Sequence, residues 1–177
     1  MFRHLFCLIV LIAVHTNKAA EIRIDPDIFG FQSAIYETNF VFPGTMWCGA
    51  GHVAESYEDL GSEWETDMCC REHDHCTDLI PAGETKHSLT NDGFYARLSC
   101  ECDEKFRLCL KNANTDISHT VGMTYFDTIG TKCYRKDYPV VGCQMYGGMF
   151  MPICLEYEFD KKSEQIYQWF DVKGYSE

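Results

Sequence analysis

The twelve residues Asp67-Met-Cys-Cys-Arg-Glu-His-Asp-His-Cys-Thr-Asp78 hold three cysteines, two histidines and several acids. With no Pro or Gly among them, they can run as one helix of about three turns. On that helix Cys69, His73 and Cys76 recur at i, i+4 and i+7 and share a face. Asp74 points about 100° away, toward a different partner. A histidine that can take a proton, beside a carboxylate that can hold a cation, is a combination suited to activating water and polarising a carbonyl. Upstream, Trp47-Cys-Gly-Ala-Gly51 alternates glycines just after a cysteine. Glycine permits positive φ and close approach of a ligand, and alternating glycines can turn successive carbonyls toward one point, as a hard cation such as Ca²⁺ requires. The spaced acids and twelve-residue loop of an EF-hand are missing.

Other chemistries fit less well. Cys69, Cys70, His73, His75 and Cys76 are zinc-type ligands. However, no second CxxC or HxxxH cluster follows, and an oxidising compartment would pair the cysteines. A serine nucleophile would need a Gly-x-Ser-x-Gly elbow, which is absent, and cysteines that can all pair leave no free thiolate. The competing structural reading of His73 is a histidine packed in a disulfide core.

The elements that must position these residues follow from composition and pattern. A chain of 177 residues suits one domain with a real core. Eleven cysteines are a disulfide-scaffold level of usage, and a net charge of -12 argues against nucleic acid and against simple attraction to anionic lipid. Residues 1–20 read as a secretory signal: Arg3 opens it, Leu5 to Val14 is an apolar run of ten, too short to span a membrane, and Ala19 and Ala20 are small enough for cleavage. Removing Cys7 with that segment leaves ten cysteines, all from Cys48 onward. Residues 21–39 read as a propeptide or N-terminal extension, and residues 40–177 as the folded domain.

Leu79 to Gly93, with Pro81, Gly83 and Asn91-Asp-Gly93, reads as a loop. From Tyr95 to Asn112 the helical period returns, with Leu98, Cys102, Phe106 and Cys109 on one face. A Cys76/Cys102 or Cys69/Cys109 bridge could staple this helix antiparallel to the first. Asp103 would then sit beside His73, able to hold its tautomer. On pattern alone the reading favoured for Asp103 is one more surface acid in Glu101-Cys-Asp-Glu104. Met123 to Tyr134 suggests a short strand or hairpin, and the stretch between Cys143 and Cys154 an apolar loop.

Trp47-Cys-Gly-Ala-Gly51 followed by Cys69-Cys-Arg-Glu-His-Asp-His-Cys76 resembles secreted phospholipase A2, and specifically the bee-venom, or group III, class. The likeness continues through Ala82 to Asn91, Leu98 to Phe106, Cys109 to Asn112, Thr131 to Tyr134 and Tyr167 to Asp171. It implies an α-rich, disulfide-stapled fold, in which two long antiparallel helices carry the site beside a small antiparallel β-sheet. It implies that His73 is the general base, that Asp103 orients it and that Tyr125 supports Asp103. Asp74 and the carbonyls of Trp47, Gly49 and Gly51 become the Ca²⁺ ligands, with the Gly49 N–H a helper at the oxyanion. The implied bridges are Cys48–Cys70, Cys69–Cys109, Cys76–Cys102, Cys100–Cys133 and Cys143–Cys154.

The resemblance further implies a secreted, monomeric enzyme working at a phospholipid membrane surface or micelle, releasing a fatty acid and a lysophospholipid. From Phe40 onward there are 12 Lys and Arg against 23 Asp and Glu, a balance near -11, so zwitterionic headgroups should suffice. Tyr146, Met149, Phe150, Met151 and Ile153, with Phe40, Val41, Phe42 and Met46, are either core or a membrane-touching set. The alternative function is a catalytically idle relative acting as a binding protein or toxin subunit. Such relatives tend to lose the histidine, the aspartate or a loop glycine, and all are present here.

Overall fold

The computed structural model describes residues 40–148 and 152–176. The expected signal segment with Cys7, the expected propeptide or extension, and the residues Met149, Phe150 and Met151 lie outside them. Among the described residues, β1 (Phe40–Val41) pairs with β2 (Gly49–Ala50) and closes the glycine loop. Helix α1 (Trp64–Asp74) follows, then four two-residue strands: β3 (Leu79–Ile80), β4 (Thr85–Lys86), β5 (Leu89–Thr90) and β6 (Arg97–Leu98). Helices α2 (Cys100–Ala113) and α3 (Asp116–Gly122) lead into a π-helical turn, Met123–Ile129. The chain ends in β7 (Lys132–Asp137), β8 (Val140–Gly147), β9 (Ile153–Phe159) and β10 (Ile166–Asp171). All pairings are antiparallel and two-stranded: β1 with β2, β3 with β6, β4 with β5, β7 with β10, and β8 with β9.

The expectation of an α-rich fold with two long helices is corrected here. Helices α1 and α2 have only 11 and 14 residues, about 16 and 21 Å of axis, and strand residues outnumber α-helical ones. The reason lies at both helix ends. Helix α1 stops at Asp74, with the His75 and Cys76 amides donating to the carbonyls of Arg71 and His73. Cys76 therefore lies beyond the helix it was placed on. Helix α2 starts only at Cys100, because Arg97–Leu98 are taken up by pairing with Leu79–Ile80 and Ser99 caps the Cys102 amide through its side chain. The tail is rich in β-branched and aromatic residues and folds as four strands rather than as loops.

Two smaller readings also change. Leu79–Gly93 is not a plain loop: it holds β3, β4 and β5, and the β4–β5 turn places His87 and Ser88 at positive φ, 55° and 62°. Met123–Ile129 is helical rather than extended, because it continues α3 without a break until Gly130 takes a left-handed conformation.

Five disulfides hold these short elements: Cys48–Cys70, Cys69–Cys109, Cys76–Cys102, Cys100–Cys133 and Cys143–Cys154. The pairs Cys69–Cys109 and Cys76–Cys102 run in opposite chain directions, so α1 and α2 lie antiparallel. The core gathers Trp47, Phe106, Leu110, Val121, Phe126 and Phe170 around these bridges. Leu110 is fully buried in it. Leu110→Ala should therefore lower stability by about 2–5 kcal/mol, read by denaturant unfolding with the disulfides intact.

Candidate active site

The last turn of α1 carries His73 and Asp74, and the first turn of α2 carries Asp103. The two bridges between the helices lock their register so that His73 Nε2 lies 2.9 Å from Asp103 Oδ1. Asp103 is 1% exposed, not the surface acid that pattern alone allows. Its Oδ1 also accepts the Tyr125 hydroxyl at 3.0 Å. Burial, and then the Asp103 charge, push the Tyr125 phenol well above its ordinary range, so it remains a protonated donor. In the tautomer that turns an Nε2–H toward Asp103, Nδ1 is the ring nitrogen left to accept a proton.

Two rings hold that imidazole in place. Phe106 stacks on His73 at 4.2 Å and 17°, and Tyr125 meets it edge-on at 5.1 Å. Phe106 was legible only as a core-face position of its helix; its spacing of i+3 from Asp103 is the signal that places both on one face. Tyr125 reaches the site from the π-helical turn, a kind of distortion often found at functional sites.

Asp74 lies on the adjacent face of α1 and lines a cavity of 530 Å³ together with His73, Trp47, Gly49 and Gly51. Its side chain is exposed yet crowded by its neighbours. Desolvation pushes the Asp74 carboxyl up to about 6, partly opposed by His73, His52 and His75 and reinforced by Asp67. The rest of the cavity is apolar, with Phe42, Leu79, Tyr95, Leu98 and Val121 among its walls.

The glycine loop is a constrained cradle. A Cβ on Gly49 would fall 1.8 Å from the Phe40 carbonyl oxygen, and Gly51 sits at φ 87°. Neither place accepts a side chain without moving the loop. Among the described residues no three His, Cys, Asp or Glu side chains converge as a metal site. Asp74 and the loop residues Trp47, Gly49 and Gly51 share a wall of the cavity, and a carboxylate with main-chain oxygens is the kind of donor set a hard divalent cation takes.

Loop and helix are joined by a residue the sequence reading passed over. Asp67 is fully buried and accepts the Met46, Trp47 and Gly61 amides at 2.8–2.9 Å. The signal was its place seven residues before Asp74, two turns along one helix face.

The apolar set expected at a membrane divides. Phe40 is 61% and Tyr146 67% exposed, Phe42 and Met46 pack against the core, and Met149, Phe150 and Met151 lie outside the described residues. Phe94, at 85% exposure on the cavity rim, was not anticipated. No helix among the described residues is long and apolar enough to cross a membrane.

Tyr125→Phe removes one of the two donors to a buried carboxylate. Stability should fall by about 1–3 kcal/mol, measured by denaturant unfolding against the parent.

A family model described as Phospholipase A2 matches residues 41–137. A phospholipase A2 of Bombus pensylvanicus is 51% identical over 136 residues, which cover 76% of this chain and 99% of the relative. One from Xylocopa aruana is 54% identical over 138 residues, 78% of this chain and 75% of the relative. One from Apis mellifera is 48% identical over 140 residues, 78% and 82% of the two chains.

Proposed function

The chain belongs to the phospholipase A2 family, in its bee-venom or group III class, and is an enzyme acting on phospholipid at an interface; we propose that it is secreted, requires Ca²⁺ and hydrolyses the sn-2 ester of glycerophospholipids, with His73 as general base. The observation that carries this reading is the His73–Asp103 pair, held at 2.9 Å by two disulfide-joined helices and lining an apolar cavity with Asp74.

In this reading His73 Nδ1 takes a proton from water, and the water oxygen attacks the ester carbonyl. Asp103 keeps the imidazole in the required tautomer and stabilises it once protonated. Tyr125, neutral and donating, keeps the buried Asp103 charge solvated by protein. The imidazolium then returns its proton to the departing alkoxide, giving a fatty acid and a lysophospholipid with no covalent intermediate.

Asp74 and the carbonyls of Trp47, Gly49 and Gly51 would hold the Ca²⁺. When bound, the ion supplies positive charge to the phosphate and to the oxyanion developing at the ester. The apolar cavity walls take the acyl chain and keep bulk water from the ester. The N-terminal apolar run, the even count of later cysteines and the five disulfides support secretion.

The test is fatty-acid release from sn-2-labelled phosphatidylcholine vesicles, with Ca²⁺ and then with chelator. Chelation should abolish release, and His73→Gln should lower it by about 10²–10⁴-fold while the fold is retained. Release that survives either change would defeat the mechanism.

Proton and cation compete for Asp74. Above about pH 6 the carboxylate is ionised and ready. Below that value a proton must leave first, so apparent Ca²⁺ affinity should fall by up to about tenfold per pH unit. Calcium calorimetry across roughly pH 5–8 measures this slope; a flat profile would exclude Asp74 as the titrating ligand.

A further inference from the structure

The face of α1 turned toward the glycine loop carries three attachments in succession. Asp67 accepts main-chain amides of the loop, Cys70 is bridged to Cys48, and Asp74 lines the cavity with the loop glycines. Spacings of three and seven residues put all three on one side of the helix. Asp67 and Asp74 are thus tied by rigid helical geometry, about 10 Å apart along the axis.

The loop end of this link is fixed in detail. Met46 N–H donates to both carboxylate oxygens of Asp67 at 2.9 Å, and Trp47 N–H to Oδ1 at 2.8 Å. The peptide joining Met46 to Trp47 is pinned from its other side too, since its carbonyl accepts the Val53 amide at 2.9 Å. The Trp47 indole N–H donates to the Asp59 carbonyl at 2.8 Å. Gly61 N–H donates to Asp67 Oδ2 at 2.8 Å and ties down the far end of the excursion between loop and helix. A buried carboxylate among N–H donors makes strong, directional hydrogen bonds, and each amide left without one carries a large desolvation cost.

We propose that Asp67 is a positioning residue for the cation site: it clamps the Met46 and Trp47 amides and so aims the Trp47 carbonyl and the following glycines toward Asp74. The inference rests on the reading that Asp74 and this loop hold Ca²⁺. Asp67 touches neither substrate nor ion; it acts through the loop. Every donor it faces is an N–H group, so Asp67→Asn sets an amide NH₂ against at least one of them at almost unchanged volume.

The experiment has two arms, neither of which reads activity. Calcium calorimetry and Trp-sensitised Tb³⁺ luminescence are run on the parent, D67N and Q168A. Gln168 bonds Val140 N–H and the Asp137 and Tyr138 carbonyls in the β7–β10 region, so its loss should lower the melting temperature and leave cation affinity unchanged. D67N, folded by circular dichroism, should bind Ca²⁺ and Tb³⁺ on the order of tenfold more weakly. Equal affinity in folded D67N, or a matching affinity loss in Q168A, would overturn the proposal.

The second arm is amide hydrogen exchange of the parent without Ca²⁺. The Met46 and Gly61 amides should be protected although they lie outside regular secondary structure. Exchange at free-peptide rates would overturn the clamp, and this arm decides the matter if D67N fails to fold. A parent protein that binds no Ca²⁺ would instead overturn the calcium reading itself, and this inference with it.

Discussion

A carboxylate removed from water needs hydrogen-bond donors, and two buried carboxylates organise the fold around this site, Asp67 at both oxygens and Asp103 at Oδ1 alone. Asp103, at 1% exposure, is held by His73 from α1 and by Tyr125 from the π-helical turn. Those partners arrive from separate elements, so the site exists only when α1, α2 and that turn are in register. An isolated ion of this kind would be too costly to bury, which makes the hydrogen bonds a condition of folding as well as of chemistry. The disulfides act on the other side of the balance. Helices of 11 and 14 residues have little stability of their own, and bridges at Cys69–Cys109 and Cys76–Cys102 remove the freedom to slide that would part His73 from Asp103.

Asp67 repeats the arrangement with different partners. Where Asp103 draws on side chains, Asp67 draws on main-chain amides. The first choice gives a partner, the imidazole, that can exchange its proton. The second produces a rigid loop, because an amide cannot. One short helix thus presents His73 on one face and Asp67 with Asp74 on the adjacent one.

What was legible in the sequence divides along the same physical line. His73, Asp74 and the glycine loop could be singled out from local spacing, the period of a helix and the alternation of glycines, and the structure brings them to one cavity. The Asp103 pairing could be framed but not decided from pattern, since burial depends on which bridge forms. Asp67 was invisible among neighbouring acids, because its partners lie about twenty residues upstream and are backbone atoms that any sequence possesses. Helix ends failed for a similar reason. The periodicity of Leu98, Cys102 and Phe106 continues past the true start of α2, but strand pairing of Leu98 with Leu79 claims the preceding residues. The strands of the tail draw their order from distant partners, as when Trp169 faces Tyr134, and local propensity alone does not set such pairings.

The charge balance now bears on how an acidic enzyme reaches lipid. Anionic headgroups would repel a domain with a balance near -11, and each basic residue near a membrane contributes only about 1 kcal/mol of attraction. The residues exposed around the cavity are of another kind: Phe40 at 61%, Phe94 at 85% and Ile129 at 43%. Burying one such side chain in an apolar phase is worth about 1.5–3 kcal/mol, so these three can outweigh several missing cations. They also line the cavity that His73 lines, so apolar contact made through them would lie at the cavity itself. Adsorption driven by apolar contact alone would not select a headgroup. Headgroup selectivity would then fall to the polar residues inside the cavity, among which Asp74 stands beside the glycine loop.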